Sequence, residues 1–311
     1  MADYRYRIVD VFTEQKLEGN PLAVFPEAED LDAATMQKIA QELNLAETAF
    51  ILPPTRPGCV AQVRIFTPTR EMVFAGHPTI GTAWVLMDEG RVEAGTDEFM
   101  LDELVGAVPI RVEGAQLWLK TPPISWGPEF SPAACAAVAG LTAEDLLPVT
   151  PQLVTAGNPN IYVAVRDKEA VDRAMVDSAR LLALREGLDP VCFFVFTPTA
   201  TGAYSRMFAP EHGVVEDPAT GSATGPLAAY MMHHGLAPRH AGTRLVSEQG
   251  VKMGRRSLLH IVVRGASRLR KKAGDRLLTR AAQLLRTRIC NSLQSHDREG
   301  VVLQNPFSAA C

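Results

Sequence analysis

Two acidic residues and a histidine occupy sequence contexts in which they could transfer protons. Glu47 lies in the segment Leu45-Ala46-Glu47-Thr48-Ala49-Phe50, after a predicted helix and before a strand-like run. A carboxylate flanked by apolar residues at such a junction tends to be partly buried, and burial raises its pKa toward the range useful for a general base. A solvent-exposed loop glutamate is the alternative interpretation of the same pattern.

Asp217, His77 and Ser222 lie close to two expected helix starts. Asp217 followed by Pro218 is a good N-cap pair, so helix capping competes with catalysis or ligand contact as its role. His77, which precedes Pro78, is either a buried and satisfied side chain or a proton-transfer partner. Ser222 either donates to a substrate carboxylate or caps its helix.

A binding site for an acidic ligand is predicted where the two helices begin. The first turn of a helix presents unpaired N–H groups and a partial positive charge, which together bind a carboxylate. Gly76 and Gly221 would let a ligand approach the backbone closely. Pro78 and Pro218 suit the first helical turn, where a missing N–H costs nothing. We therefore expect a small carboxylated ligand between the two helix starts.

An internal duplication places one such helix in each half of the chain. Arg64, Phe66, Pro68 and Val73 recur 142 residues later as Arg206, Phe208, Pro210 and Val215. The tripeptide Gly-Asn-Pro at 19–21 also recurs at 157–159, although this sequence forms turns in many proteins. The repeats predict two similar lobes, over residues 1–124 and 125–265.

Short alternating runs and a few helices make up each predicted lobe. Strand-like runs cover 60–66, 108–112 and 117–119, and an amphipathic helix is expected over roughly 33–44. The helices that follow His77 and Ser222 are apolar on most faces, which indicates burial. The predicted fold class is α+β: two similar lobes, each a mainly antiparallel sheet wrapped around a central helix.

Composition excludes several classes of protein. The chain is 47% hydrophobic and 21% charged, which is ordinary for a globular protein, and no apolar run is long enough for a membrane helix. Its beginning has no signal-peptide pattern, so a cytoplasmic location is the default expectation. The five cysteines are scattered, which argues against a disulfide framework or a metal site. Nucleotide-binding glycine motifs are absent from the sequence.

The last part of the chain differs in charge from the rest. Residues 264–311 contain ten Lys/Arg and three Asp/Glu, whereas the preceding 263 residues contain 21 and 32. A basic tail can bind nucleic acid, but no recognition motif accompanies it, so specific nucleic-acid recognition is not favoured. Leu277, Ala281, Leu284 and Leu285 have helical spacing. Residues 266–311 are treated as an atypical basic tail without an assigned structure.

Five motifs together resemble the phenazine-biosynthesis PhzF-like family. They are Gly-Asn-Pro at 19–21, Asn-Leu-Ala-Glu-Thr-Ala-Phe at 44–50, Arg-Ile-Phe-Thr-Pro at 64–68, Phe-Ala-Gly-His-Pro-Thr-Ile-Gly at 74–81 and Glu-Asp-Pro-Ala-Thr-Gly-Ser-Ala at 216–223. The resemblance runs from about residue 6 to about residue 255. It implies the diaminopimelate-epimerase-like fold, in agreement with the duplication, and a homodimer.

The resemblance also implies a reaction and its residues. The family's best-understood member isomerises trans-2,3-dihydro-3-hydroxyanthranilate without a metal or organic cofactor, using a glutamate matched here by Glu47. Asp217, His77 and Ser222 match the residues around that glutamate. The resemblance thus predicts Glu47, Asp217 and His77 as catalytic residues. The predicted substrate-binding residues are Asn20, Gly76, Gly221 and Ser222.

Two alternative functions stay open at this point. Related epimerases and racemases use one cysteine at each central-helix start, and neither start has one here, which argues against epimerisation by thiols. A non-catalytic protein that binds a small molecule or a partner on the same fold is the second alternative. Beyond about Gly265 the chain departs from the family pattern, either because the terminus has diverged or because the reading frame has changed.

Overall fold

The computed structural model describes residues 4–264 and the backbone of residues 280–285. This part of the chain forms two lobes, and in each lobe a mainly antiparallel sheet wraps around one central helix. The predicted α+β fold class is thereby confirmed. Within the described residues, no helix is both long and apolar enough to span a membrane.

The first lobe carries the amino-terminal copy of the repeated motifs. Its strands are β1 (Arg7–Val11), β2 (Asn20–Phe25), β3 (Thr48–Leu52), β4 (Cys59–Phe66), β5 (Glu71–Met72), β6 (Glu98–Glu103), β7 (Gly106–Glu113) and β8 (Gln116–Lys120). Pairing is antiparallel except for β2 with β3 and β4 with β6, which run parallel. The strand-like runs predicted at 60–66, 108–112 and 117–119 fall inside β4, β7 and β8.

The second lobe repeats this pattern. Its strands are β9 (Ser125–Glu129), β10 (Gln152–Thr155), β11 (Pro159–Ala164), β12 (Cys192–Thr199), β13 (Gly202–Ala209), β14 (Val214–Asp217), β15 (Arg244–Gln249) and β16 (Ser257–Arg264). Its parallel pairs are β11 with β12 and β13 with β15. The repeated arginines play matching parts, because Arg64 binds Glu71 and Arg206 binds Glu216 through two hydrogen bonds each. The duplication read from the sequence is therefore a duplication of structure.

Helices fill the centre of each lobe and parts of the surface. They are α1 (Ala33–Leu43), α2 (Gly76–Asp88), α3 (Pro132–Val138), α4 (Lys168–Arg173), α5 (Ser178–Leu184) and α6 (Gly221–His233), with short 3₁₀ turns at Ala143–Asp145, Pro210–His212 and Val251–Met253. Helix α1 agrees with the predicted amphipathic helix. Asp32 caps its start by accepting from the Thr35 N–H, and Asn44 ends it in the left-handed conformation.

The central helices α2 and α6 are buried on most faces, as their apolar sequences predicted. Ile80 and Leu86 of α2 pack among strand residues such as Leu22 and Ile110. Leu227 and Tyr230 of α6 lie in the corresponding core of the second lobe. A helix enclosed by a sheet in this way has a fixed axis, so its amino-terminal end has a fixed position.

The basic tail contributes one strand to the sheet. Strand β17 (Arg280–Leu285) pairs antiparallel with β16 of the second lobe and with β8 of the first. The helix that the spacing of residues 281, 284 and 285 favoured is therefore wrong, because these residues lie in a strand. Unpaired sheet edges at β8 and β16 offer hydrogen bonds to an extended segment, and such tertiary pairing overrides a local helical pattern. Leu277 and the remaining tail positions lie outside the described residues.

Candidate active site

The amino-terminal ends of α2 and α6 meet between the lobes. A Cβ atom placed on Gly76 would lie 2.9 Å from the backbone nitrogen of Ser222 and 3.1 Å from the carbonyl carbon of Gly221. Only glycine fits at position 76 without moving the other helix start. Pro78 lies in the first turn of α2, as predicted. Two partial positive charges thus converge on one small region.

Glu47 lies immediately before β3 and close to the start of α2. Its side chain is only 17% exposed, and its Oε2 lies 3.4 Å from His77 Nδ1. Burial, followed by the negative charge of Asp217, raises the pKa of Glu47 well above its usual value. The alternative of a solvent-exposed loop glutamate is therefore wrong.

Asp217 does not cap a helix. It ends β14, while α6 begins at Gly221 with Thr220 in the N-cap position, so Pro218 also lies outside the first helical turn. The Asp217 carboxylate accepts from Thr220 Oγ1 at 2.6 Å and from Asn20 Nδ2 at 2.7 Å. Burial raises its pKa, and these two hydrogen bonds oppose the increase because they stabilise the charged form.

Asn20 connects the two lobes at this site. It is fully buried at the start of β2, and its Nδ2 donates to Asp217 Oδ1 and, at 3.0 Å, to the Ala219 carbonyl of the second lobe. The same nitrogen lies 3.3 Å from His77 Nδ1. A line of contacts therefore runs from Glu47 through His77 and Asn20 to Asp217.

His77 is a neutral imidazole in this environment. It is 4% exposed, and burial lowers its pKa to about 3. Its Nδ1 faces Glu47 and Asn20, whereas its Nε2 has no hydrogen-bond partner among the described residues. Because it holds no positive charge, His77 does not lower the pKa of Glu47 by charge pairing.

The environments of the two carboxyl groups differ in a way that assigns their protonation. Asp217 receives hydrogen bonds that favour its charged form, whereas Glu47 is buried beside that charge. Two interacting carboxyl groups titrate as a pair, and the one with less stabilisation of its charge holds the proton to higher pH. Glu47 is thus the carboxyl group of the pair that holds its proton to higher pH.

The hydroxyl group of Ser222 is oriented by a residue that sequence reasoning missed. Asn158 Nδ2 donates to Ser222 Oγ at 3.2 Å, which leaves the serine proton directed elsewhere. Ser222 lies inside the first turn of α6 rather than at its cap. The signal for Asn158 was present, since its Gly-Asn-Pro motif is the repeat of the motif that holds Asn20.

Both lobes line the cavity in front of the two helix starts. Its walls include Glu47, Gly76, His77, Asp217, Gly221 and Ser222, together with Asn158, Asn160, Cys192, Met207 and His212. Burial raises the pKa of Cys192 to about 12, so it is a thiol and not a thiolate. Asn160, Cys192, Met207 and His212 carried no motif that would have identified them from the sequence.

Comparison with known proteins agrees with these features. A family model described as phenazine biosynthesis-like protein matches residues 9–280. A trans-2,3-dihydro-3-hydroxyanthranilate isomerase of Pseudomonas aeruginosa is 35% identical over 270 residues, covering 85% of this chain and 91% of that protein. A protein of the same name from Pseudomonas fluorescens is 33% identical over 307 residues, covering 96% of this chain and 100% of its own.

The fold is also similar to that of solved structures. A phenazine biosynthesis protein of the PhzF family from Bacillus anthracis superposes with a TM-score of 0.78 at 22% sequence identity, covering 92% of this chain and 95% of that chain. At this identity the likeness shows a shared fold. A shared fold does not determine the reaction, which depends on the residues of the site.

Proposed function

The chain belongs to the phenazine biosynthesis-like protein family and is an isomerase, and we propose that it acts by carboxylate-mediated proton transfer on a small carboxylated substrate. We propose trans-2,3-dihydro-3-hydroxyanthranilate as that substrate, because two similar proteins carry this name over most of the chain. The reaction needs no cofactor, since one proton leaves and returns.

The contrast between Glu47 and Asp217 is the observation that carries this proposal. A proton carrier has to accept a proton and release it again, and the raised pKa of Glu47 makes it a stronger base than an exposed glutamate. In the proposed reaction, ionised Glu47 removes a proton from one ring carbon of the substrate and returns it to another. The double bonds shift between these steps, and Glu47 ends as it began.

The helix starts provide the proposed position for the substrate's carboxylate. Backbone N–H groups near Gly76 and Gly221 carry the partial positive charge of two helices, and Ser222 adds a hydroxyl donor oriented by Asn158. With the carboxylate held there, the ring lies in the cavity that Glu47, His77 and Asp217 line. Asn20 contacts both Asp217 and His77 and so fixes their relative positions across the two lobes.

Thiol chemistry fits this site less well. An epimerase of the two-cysteine type needs a thiolate on each side of the substrate, but Cys192 is the cysteine that lines the cavity, and burial keeps it protonated. The other cysteines of the described residues, Cys59 and Cys135, do not line it. The carboxylate route is therefore the one that the side chains support.

Isomerisation in deuterated water tests the proposed function. We expect the purified protein to convert trans-2,3-dihydro-3-hydroxyanthranilate and to place deuterium on the carbon that receives the proton, as followed by proton NMR. Binding of this compound without conversion or exchange would contradict the proposal and favour a protein that retains the cleft without the reaction.

A further inference from the structure

A further buried carboxyl group lies behind the start of α2, outside the cavity. Glu103 is the last residue of β6, and it is 2% exposed. Its Oε1 lies 2.7 Å from the hydroxyl oxygen of Thr79, which is in the first turn of α2. Its Oε2 has no hydrogen-bond partner among the described residues.

The Thr79 hydroxyl has two close oxygen neighbours and only one proton. Its Oγ1 lies 2.7 Å from the carbonyl oxygen of Ala75 as well as 2.7 Å from Glu103 Oε1. A carbonyl oxygen cannot donate, so the Thr79 proton serves the contact with Ala75 only if Glu103 supplies a proton to the other contact. With an ionised Glu103 the single Thr79 proton serves one of these contacts, whereas a protonated Glu103 allows both to be hydrogen bonds.

The second lobe places a neutral residue in the corresponding position. Gln249 is the last residue of β15, is fully buried and donates from Nε2 to Thr220 Oγ1 at 3.0 Å, at the start of α6. It pairs in parallel with Ser205 of β13, and Ser205 lies 142 residues after Val63 of β4. In the first lobe Gln62 of β4 pairs with Asp102 of β6, so the next residues, Val63 and Glu103, lie opposite each other. Glu103 therefore occupies the position in the first lobe that Gln249 occupies in the second.

In each lobe, therefore, the last residue of a strand that pairs in parallel, β6 or β15, places a buried side chain beneath the first turn of the central helix. In α6 that side chain is an amide, which donates to a threonine and, at 2.7 Å, to the Asp217 carbonyl. A carboxylate could not make equivalent contacts because it only accepts, whereas a carboxylic acid has one donor and the shape of an amide.

Among the residues that the structure describes, no cation pairs with the side-chain carboxyl group of Glu103. Other charged or titratable side chains lie on the elements around it: Arg56 and Asp102 at the strand end, Cys59 and Arg64 on β4, Arg111 and Glu113 on β7, and His77 and Asp88 on α2. Each arginine in this set already has a carboxylate partner of its own. The pairs are Arg56 with Asp102, Arg64 with Glu71 and Arg111 with Glu113, and Asp88 pairs with Arg7. Burial accordingly raises the pKa of Glu103 to about 8.

We propose that Glu103 is a positioning residue that works as a neutral carboxylic acid, donating to Thr79 and holding the start of α2 against the substrate site. The inference rests on the proposed function for its effect on turnover, because α2 begins with Gly76 and His77 of the cavity. Ionisation of Glu103 would remove the donor and place an unpaired charge behind that helix start.

The Glu103→Gln variant tests this proposal because glutamine keeps the shape and the donor but does not ionise. We expect its kcat/KM to equal that of the parent within about threefold at pH 7, and to stay constant above pH 8, where the parent declines. The Glu103→Met variant, which has no donor, should lose about 2- to 12-fold at every pH, the effect of one hydrogen bond. Equal alkaline declines in the parent and the Gln variant would overturn the proposal.

Urea unfolding provides a test that does not depend on the substrate. An acid whose pKa is higher when folded stabilises the fold below its unfolded pKa, and that contribution is lost as the pH rises through the folded value. The unfolding midpoint of the parent should therefore fall relative to that of Glu103→Gln between about pH 4.5 and about pH 8. A constant difference between them across this window would show that Glu103 is ionised.

The adjacent carboxylate serves as the matched control. Asp102 is buried, yet hydrogen bonds from Thr55 and Arg56 outweigh burial and lower its pKa. Asp102→Asn should therefore lower the unfolding midpoint about equally from pH 5 to pH 9. If the unfolding midpoints show the expected pH dependence but the protein does not isomerise the substrate, the proposed function is refuted. Glu103 would still be a neutral acid in that case.

Discussion

At the scale of single residues, the environment of each acid decides what it can do. Glu103 and Asp217 are buried and Glu47 is largely buried near the two helix starts, yet the three have different hydrogen-bond partners. Asp217 receives donors that favour its charge, Glu103 faces a hydroxyl group that also needs a donor, and Glu47 lies beside the charge of Asp217. Three carboxyl groups can thus take three roles in one small region.

Replacement of Asp217 by asparagine should move the pH dependence of the reaction. The negative charge of Asp217 contributes to the raised pKa of Glu47, so its removal should lower that pKa. Because Glu47 reacts as the ionised base, the acidic limb of the kcat/KM profile should shift to lower pH, even though the maximum falls. A surface control, Asp30→Asn, should leave the limb in place. An acidic limb at the same pH as in the parent, or at a higher pH, in Asp217→Asn would contradict the electrostatic coupling of Asp217 to Glu47.

The sequence identified part of the site through residue types and part through motifs. The geometry brings Asn20, Glu47, His77 and Asp217 into one line of contacts. The catalytic roles of Glu47, His77 and Asp217 and the substrate-binding role of Asn20 remain predictions. The capping role considered for Asp217 was wrong, because the Asp-Pro pattern cannot reveal that three residues separate it from the helix start. Gln249 and Glu103 were missed, since a polar residue at a strand end has no distinctive local pattern.

At the scale of elements, the approach of two helix starts sets the geometry of the site. Gly76 of α2 is packed so closely on Gly221 and Ser222 of α6 that a side chain cannot be added without displacement. Sequence patterns predicted both helices and their burial, because a helix that is apolar on every face is stable only when it is enclosed. They could not predict the distance between the helices, which depends on the packing of both sheets.

Gly76→Ala should therefore separate the helix starts. Overpacking of this kind costs about 1–3 kcal/mol of unfolding free energy, and it should reduce kcat/KM at least tenfold because the anion site is divided between the helices. The control is Gly81→Ala in the same helix, whose new methyl group meets the side-chain ends of Leu22 and Val11 inside one lobe. That variant should lose stability but retain kcat/KM per folded molecule. Full activity in Gly76→Ala would contradict the shared site.

At the scale of the whole molecule, the described lobes are connected by side chains as well as by strand pairing. Arg255, at the end of the second lobe, binds the Asp10 carboxylate and donates to the backbone carbonyls of Glu18 and Gly19. Glu18 and Gly19 belong to the turn that leads into Asn20, and Asp10 lies on β1. The contact between lobes therefore also holds the residue that links His77 to Asp217.

Arg255→Gln should lower both stability and activity. Loss of the ion pair and of two hydrogen bonds should reduce the free energy of unfolding by about 1–3 kcal/mol, as measured by urea denaturation. Its neighbour Arg256 forms a more exposed pair with Glu248, so Arg256→Gln should change stability by no more than about 0.5 kcal/mol. Equal effects of the two substitutions would show that Arg255 has no special role between the lobes.

The duplication allowed the two-lobed architecture to be predicted from short motifs far apart in the chain. The pairing of β17 with both β8 and β16 could not be predicted, because local spacing at residues 281–285 favoured a helix. Strand pairing at a sheet edge depends on partners distant in sequence. Long-range contacts of this kind are the part of the fold that single-sequence patterns do not contain.

The transfer of the substrate proton by Glu47 is the central claim, and one comparison tests it most directly. Glu47→Gln and the exposed control Glu42→Gln, which lies five residues earlier, would be assayed with trans-2,3-dihydro-3-hydroxyanthranilate in deuterated water. A positioned acid–base group contributes about 10²- to 10⁴-fold in rate. We therefore expect Glu47→Gln to lose conversion and deuterium incorporation by that factor while it remains folded, and Glu42→Gln to match the parent. Conversion by Glu47→Gln at the parental rate would contradict the claim.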